Sequence, residues 1–238
     1  MGDVGLVLQG VRDEALGTKT FLFKPEGLAG AVAGQYLIVK LDVPADLRRG
    51  SRSFTMANAP TEERVMITTR IRDSSPFKQA FASLRPGDRI AAKGPFGKFT
   101  LHAEDAPALF LAGGIGVTPF RSIVKDALDT GRATPMILLT SDRVPEAISF
   151  RQEMEAWTLE HPTFRLFRTA TRPDESSHAW SGRVGRIDVA WIREQVPDLG
   201  AIIAYVAGPP SFVAQLRGTL PSLGISDDRL RIEQFIGY

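Results

Sequence analysis

Ala108–Ile123 read ALFLAGGIGVTPFRSI, and this stretch decides the architecture of the second half of the chain. Ala108–Ala112 is an apolar run of strand length. Gly113, Gly114 and Gly116 follow, and glycine permits a sharp turn whose backbone a ligand can approach without meeting a Cβ. Thr118 is then placed as a helix N-cap, with Pro119 at the first helical position, where its missing amide costs little. The helix expected over Pro119–Thr130 gathers Phe120, Ile123, Val124, Ala127 and Leu128 on one face and stops at Gly131. Such a unit aims free amides and the positive helix end at the strand's carboxyl edge, which suits an anion. It departs from G-x-G-x-x-G because Pro119 stands in place of the third glycine. A plain tight turn between strand and helix is the alternative.

Downstream, strands and helices keep alternating. Strands are expected at Met136–Thr140, Thr163–Phe167, Ala201–Val206 and Arg229–Phe235. Helices are expected at Ala147–Leu159, after an Asp188 cap, and at Phe212–Leu220. This alternation implies parallel βαβ units with right-handed crossovers. Upstream, the pattern differs. Val4–Val11, Thr20–Lys24, Gln35–Leu41, Arg52–Met56, Val65–Ile71 and Asp88–Lys93 are short strand-like segments separated by turn residues, as in a barrel or sandwich. One short helix, Pro76–Leu84, interrupts them, and Gly94-Pro95-Phe96-Gly97 reads as a turn. The polar segment His102–Pro107 suits a linker between two domains.

Composition narrows the chemistry. At 238 residues the chain has room for two domains. Its 29 basic and 27 acidic residues lack the excess a nucleic-acid footprint needs. The absence of cysteine excludes disulfides, thiolate zinc sites, iron–sulfur clusters and a cysteine nucleophile. Three scattered histidines, His102, His161 and His178, argue against a multi-histidine metal or haem site. No run of apolar residues is long enough to span a membrane, and MGDVGLVLQG lacks a basic leader region, so a cytoplasmic protein is expected. Redox work, if any, falls to a bound organic cofactor.

Other stretches could meet such a cofactor. On the expected strand, Arg52 and Phe54 share a face, so a cation and a ring lie together. Lys78 sits in the first turn of the short helix, beside free amides. Gly208-Pro209-Pro210 forms a rigid turn after a strand, at the sheet edge where ligands bind. Glu233 and Phe235 share a face of the last strand, and Tyr238 is terminal. Each has a bland alternative: a surface arginine beside a core ring, a solvated lysine, a proline helix start, a frayed end.

In order along the chain, RSFT, a basic helix start, GPFG, GGIGVTP, AGPP and a terminal E-x-F resemble the ferredoxin–NADP reductase family over essentially the whole length. The resemblance implies a two-domain, β plus α/β fold. An N-terminal six-stranded antiparallel flavin-binding barrel would occupy residues 1–103. A C-terminal parallel-sheet nucleotide-binding domain would occupy 104–238. It implies FAD and NADP as cofactors, with electrons passing from NADPH through FAD to a separate carrier such as ferredoxin or flavodoxin. A reductase component of a multi-part oxygenase or ferric reductase system, or a non-catalytic flavin-binding subunit, are the alternatives.

Residue roles follow from the same resemblance. Arg52, Ser53, Phe54 and Thr55 match R-x-Y-[ST]. Arg52 would bind the flavin phosphates, Phe54 would stack on the flavin ring in place of the usual tyrosine, and Thr55 would bond near the reactive nitrogen. Thr69 and Arg70 would lie along the flavin chain. Ser75, Phe77 and Lys78 would meet its pyrophosphate, with Lys78 at a position where the family has serine. Gly114, Gly116 and Thr118 would hold the nicotinamide nucleotide's pyrophosphate. Gly208 and Pro209 would sit beside the nicotinamide, with Ala207 replacing the family's cysteine. Ser141 and Arg143 would meet the adenosine half. Thr171, Arg172 and Arg186 would hold a 2′-phosphate, favouring NADPH. Glu233 and Phe235 would join Thr55 as the catalytic group, with Phe235 and Tyr238 covering the flavin.

Overall fold

The computed structural model describes residues 2–44, 46, 50–102, 106–196 and 198–236. Two six-stranded sheets account for the architecture. The first contains β1 (Gly2–Ala15), β2 (Thr18–Glu26), β3 (Tyr36–Lys40), β4 (Ser51–Thr55), β5 (Val65–Arg70) and β6 (Arg89–Phe96), with helix α1 (Pro76–Ala82) between the last two. All of its pairings are antiparallel, in the order β4-β3-β6-β1-β2-β5. Side chains alternate across a strand, so Val4, Leu6 and Leu8 of β1 point into one core with Phe21, Phe23, Leu37 and the α1 residues Phe77 and Phe81. The sheet curls as a half-barrel, and its two edge strands, β4 and β5, face the same cleft.

The second sheet is parallel, in the order β10-β9-β8-β7-β11-β12. Its strands are β7 (Ala108–Gly113), β8 (Met136–Asp142), β9 (Phe164–Ala170), β10 (Arg183–Val184), β11 (Ile203–Gly208) and β12 (Leu230–Gln234). Every residue of β7 and β11 is buried, as expected of central strands covered on both faces. On one face, Phe110, Leu138 and Tyr205 pack against α2 (Thr118–Asp129) and α3 (Arg151–Glu160). On the other, Leu111, Leu139 and Val206 pack against α4 (Val189–Gln195) and α5 (Pro210–Thr219). Among the described residues no helix is long and apolar enough to cross a membrane.

Several expectations shift. Gly94–Phe96 continues β6 instead of turning, and Tyr36 of β3 pairs with Phe96. Helix α3 begins at Arg151, not Ala147, because Phe150 takes a left-handed backbone conformation at φ 56°. Its amide donates to the Glu14 carboxylate of the barrel, 2.8 Å away, which offsets the local strain. The two-residue strand β10 was not anticipated. The Asp188 cap is present, accepting from the Trp191 amide at 2.8 Å. The expected domain boundary at 103–104 lies outside the described residues.

Arg121 of α2 joins the two sheets. It is 1% exposed. Its guanidinium donates to the Ala57 carbonyl (2.8 Å) and the Glu62 carboxylate (2.7 and 3.0 Å) of the barrel domain, and to Glu153 of α3. It also lies over the Phe150 and Trp157 rings. Replacing Arg121 with methionine is expected to lower stability by roughly 3 kcal/mol, the scale for breaking a buried ion pair. Chemical denaturation checks this, and Glu62→Gln is expected to cost roughly 1 kcal/mol by losing one charged partner.

Candidate functional site

The parallel sheet reverses its winding between β7 and β11, since β8 to β10 build out on one side and β11 and β12 on the other. Ligands of open α/β sheets bind at that switch point, beyond the strands' carboxyl ends. The loops found there are Gly113–Val117 and Gly208–Pro210. They touch so closely that a Cβ on Gly116 would run into the Ala207 carbonyl. Gly114 has φ 53° and open space where a side chain would stand, so its backbone faces outward. Residues Gly114–Val117 form a short 3-10 turn, and α2 opens at Thr118. Thr118 is therefore not the N-cap and Pro119 is not the first helical residue. The Thr118 hydroxyl instead donates to the Ile115 carbonyl at 3.0 Å, because the chain is already helical there.

A cleft of about 860 Å³ runs from this point into the barrel seam. Of the residues expected from sequence, Arg52, Ser53, Phe54, Thr55, Thr69, Arg70, Ser75, Lys78, Thr118, Glu233 and Phe235 line it together. β4 and β5 supply its barrel walls, the Ser75–Lys78 helix start its floor, and the end of β12 its opposite wall. β12 is brought there by pairing with β11, which sets Glu233 beside Ala207. The Phe235 amide then donates to the Gly208 carbonyl at 3.0 Å. Ser75 caps α1 through the Lys78 amide, 3.3 Å away.

The electrostatics of the cleft are strongly cationic at one end. Arg52 is held in a fork by Asp46, whose carboxylate also accepts from the Gly50 amide at 2.9 Å. Its guanidinium lies 5.0 Å from the Phe77 ring centre. Burial, then the nearby charges of Arg52 and Arg72, hold the Lys78 ammonium at a pKa of about 7. At the other end, burial pushes the Glu233 carboxyl above the usual carboxylate range. A cationic, hydroxyl-lined groove with an aromatic wall fits a flat heterocycle joined to a phosphate chain. Cations and hydroxyls meet the phosphates, and Phe54 and Phe235 offer rings.

Some expectations are corrected or displaced. Phe77 is fully buried beside both Phe54 and Phe81 and does not line the cleft. Its place on the inner face of α1 makes it a support for Phe54. Gly116 is buried against β11, so its role is close packing of the two loops. Ser141, Arg143, Thr171, Arg172 and Arg186, with Gly208 and Pro209, lie on the sheet's carboxyl edge outside the cleft. Arg143 is bound in a fork by Glu175, at 2.6 and 2.9 Å. Arg172 and Arg186 each lie two residues past the ends of the neighbouring strands β9 and β10, which the Gly185 amide on the Ala170 carbonyl (2.9 Å) also joins, and both are exposed. Tyr238 lies outside the described residues.

Asp46, Tyr36, Arg72 and Ile115 also line the cleft and were not singled out from sequence. Only Arg72 carried a usable signal, as a second cation just past a strand already assigned to the site. Asp142, fully buried at the end of β8, was also missed. Burial pushes its carboxyl up to about 7, against the opposing pull of Arg168 and Arg70.

The fold and cleft define a two-domain protein with one flavin-type barrel and one nucleotide-binding sheet. The comparisons agree. The model of an oxidoreductase FAD-binding domain matches residues 14–101, and that of an oxidoreductase NAD-binding domain matches residues 110–217. A ferredoxin–NADP reductase B of Sorangium cellulosum is 32% identical over 196 residues, covering 81% of this chain and 72% of that protein. The glycine betaine monooxygenase reductase subunit of Chromohalobacter salexigens is 29% identical over 220 residues, 90% of this chain but 56% of that subunit. The chain spans about half the length of several such relatives. Among solved structures, the Amycolatopsis cytochrome P450 reductase GcoB superposes with a TM-score of 0.85 at 23% identity, covering 98% of this chain and 70% of that one. A Neisseria gonorrhoeae ferredoxin NADP+ reductase superposes at 0.78 and 18% identity, covering 98% of each. The chain belongs to the ferredoxin–NADP reductase family of FAD- and NAD(P)-binding oxidoreductases.

Gly116→Ala is expected to destabilise the protein by roughly 1–3 kcal/mol, because its Cβ must displace the β11 backbone. Denaturation with and without nicotinamide nucleotide reads both that loss and a weakened ligand stabilisation.

Proposed function

We propose that this chain takes electrons from NADPH through bound FAD and delivers them to a separate electron-carrying protein. The observation that supports this most is the single cleft joining the barrel seam to the switch point of the nucleotide-binding sheet. A bound flavin would supply the chemistry that accepts a hydride and releases its electrons one at a time. The chain's own residues supply the rest. Arg52, Lys78 and the Ser75 helix start hold phosphate. Ser53, Thr69 and Arg70 line the flavin chain. Phe54 and Phe235 border the ring from two sides, and Thr55 offers a hydroxyl to its reacting edge. Phe235, at the end of the last strand, moves aside to admit the nicotinamide. Glu233, kept above its ordinary range by burial, is placed to hold a proton beside the reacting edge.

The nucleotide lies across the sheet's carboxyl edge. Gly114, the amides before Thr118, Gly208 and Pro209 meet its pyrophosphate and nicotinamide. Ser141 and Arg143 meet the adenosine half, with Arg143 steadied by Glu175. Thr171, Arg172 and Arg186 receive the 2′-phosphate, for which two arginines are better suited than a carboxylate. We divide the chain at 103–104 into these two domains and place the reaction in the cytoplasm, where reduced nicotinamide nucleotides are made.

The names of the relatives favour one variant of this reading. The glycine betaine monooxygenase reductase subunit and a terephthalate dioxygenase reductase component are reductases of multi-part oxygenases. An oxygenase component is therefore the second candidate acceptor. Anaerobic reduction by NADPH and by NADH, followed by a panel of one-electron acceptors, tests the proposal. Absence of flavin bleaching by either nucleotide would refute it.

Two variants test the site. Arg52→Ala is expected to purify largely without flavin, read from the visible absorbance per protein; full occupancy would remove Arg52 from the phosphate site. Arg172→Ala with Arg186→Ala is expected to weaken NADPH about 100-fold or more while changing NADH severalfold at most, the scale of two lost charged hydrogen bonds. An unchanged preference in KM would remove the pair from 2′-phosphate recognition.

A further inference from the structure

One carboxylate gathers the segment that follows β9. Glu146 lies in a 3-10 turn, Pro145–Ala147, just beyond β8. Its Oε2 accepts from the Ser176 hydroxyl at 2.7 Å. Its Oε1 accepts from the Ser177 amide and the Ser177 hydroxyl, both at 3.1 Å, and meets the His178 Nδ1 at 2.9 Å. These four contacts use the acceptor capacity of one carboxylate. The His178 ring, then the Ser176 hydroxyl, hold the Glu146 carboxyl down at about 2, so it is an anion at neutral pH. Its backbone is anchored separately. The Glu146 carbonyl accepts from the Leu16 amide, in the turn between β1 and β2 of the barrel, at 2.7 Å.

The gathered segment begins at Thr171 and Arg172. The Thr171 amide donates to the Asp142 carbonyl at 2.8 Å, and the Arg172 amide to the Arg143 carbonyl at 2.7 Å. One 3-10 turn, Pro173–Glu175, then separates Arg172 from Ser176, with the Glu175 amide closing on the Arg172 carbonyl at 3.1 Å. Among the described residues no backbone–backbone hydrogen bond holds residues 177–179, so their path depends on side chains. Backbone bonds to the β8 loop therefore fix the near end of the turn, and Glu146 fixes the far end. Arg172 leaves the sheet edge from a backbone tied on both sides. Its side chain is long and exposed, and a fixed backbone reduces what must be ordered when it meets an anion.

We propose that Glu146 is a positioning residue for recognition of the 2′-phosphate. It acts without touching the nucleotide, by holding residues 176–178 so that Arg172 points where that phosphate lies. This deepens the assignment of Arg172 and Arg186 to the 2′-phosphate given above and rests on it. Preference between the two nucleotides then depends on Glu146, because NADH has no 2′-phosphate for Arg172 to meet. A carboxylate acting directly on the nucleotide would have the opposite effect. It would repel the phosphate, and its removal would tighten binding.

The test is calorimetric binding of 2′,5′-ADP, and of 5′-AMP as the ligand lacking a 2′-phosphate, to the full chain as purified. Arg172→Ala is expected to weaken 2′,5′-ADP about tenfold and to change 5′-AMP by less than about twofold, the scale of one lost charged hydrogen bond. Glu146→Ala is expected to weaken 2′,5′-ADP about fivefold, with 5′-AMP again changed by less than about twofold, and to raise the KM for NADPH by a similar factor at unchanged kcat. Glu146→Gln keeps an acceptor for Ser177 and is expected to recover most of that loss. Ser177→Ala removes one contact from the other side and is expected to weaken 2′,5′-ADP about twofold, which tests the same link if Glu146→Ala does not fold. In the Arg172→Ala background, Glu146→Ala is expected to add less than about twofold, since a positioning residue acts only through the residue it positions. Tighter 2′,5′-ADP binding in Glu146→Ala, an equal loss for both ligands, or the whole loss persisting without Arg172 would overturn the positioning role. Unchanged 2′,5′-ADP binding in Arg172→Ala would overturn the 2′-phosphate assignment itself.

Discussion

A guanidinium with no access to water must find partners for its donors, and at Arg121 those partners come from both halves of the molecule. The Ala57–Glu62 segment lies in the barrel domain, while Glu153 and the Phe150 and Trp157 rings belong to the nucleotide-binding domain. Leaving any of these out would strand a buried charge, so the relative placement of the two sheets is specified by chemistry as well as by apolar contact. Two more hydrogen bonds reinforce it: the Phe150 amide on Glu14, and the Gly34 amide on Ser122 of α2 at 3.2 Å. Helix α2 is thus tied down at its middle, and its first turn, with Ile115 and Thr118, is delivered to the barrel seam.

That delivery creates the site. An antiparallel sheet that does not close leaves two edges, and edges carry polar backbone groups that must be paired, covered or used. Here β4 and β5 are those edges, and the cleft lies between them. A parallel sheet wound from its centre leaves a different opening, at the switch point between β7 and β11. Each domain therefore has one topological gap, and the interdomain contacts set the two gaps end to end. The close approach of the Gly116 and Ala207 backbones is possible only without a Cβ at 116, and the pairing of β12 with β11 brings Glu233 and Phe235 into the same cleft.

Much of this was legible along the chain. The change from short alternating segments to strand–glycine–helix units located two domains of different class, because side-chain periods of two and 3.6 leave different marks. The Gly113–Thr118 stretch marked the nucleotide end, and half of the residues assigned from the family motifs line one cleft. The misses have physical causes. Phe77 and Lys78 are adjacent in the short helix, yet one faces the core and the other the cleft, and a seven-residue helix shows too little periodicity to separate them. Asp46 gave no sign because its pairing with Arg52 of β4 is a contact that no local periodicity marks. Thr118 lost its capping role because the glycine turn before it is already helical.

The residue types alone determined that no disulfide and no thiolate-held metal can form within this sequence, since it has no cysteine. They also determined where glycine frees the backbone, the Asp188 cap, and the order in which strands and helices follow one another. These are local properties, set by side-chain volume, backbone freedom and polarity within a few residues. Tertiary structure alone decided which cations share one groove, that Ser176, Ser177 and His178 converge on Glu146, that Arg52 is shared with Asp46 and Arg143 with Glu175, and that Arg121 holds the domains together. Those facts depend on pairings between residues as many as 64 positions apart, and no local pattern records the energy of a contact that forms only when the chain has closed on itself.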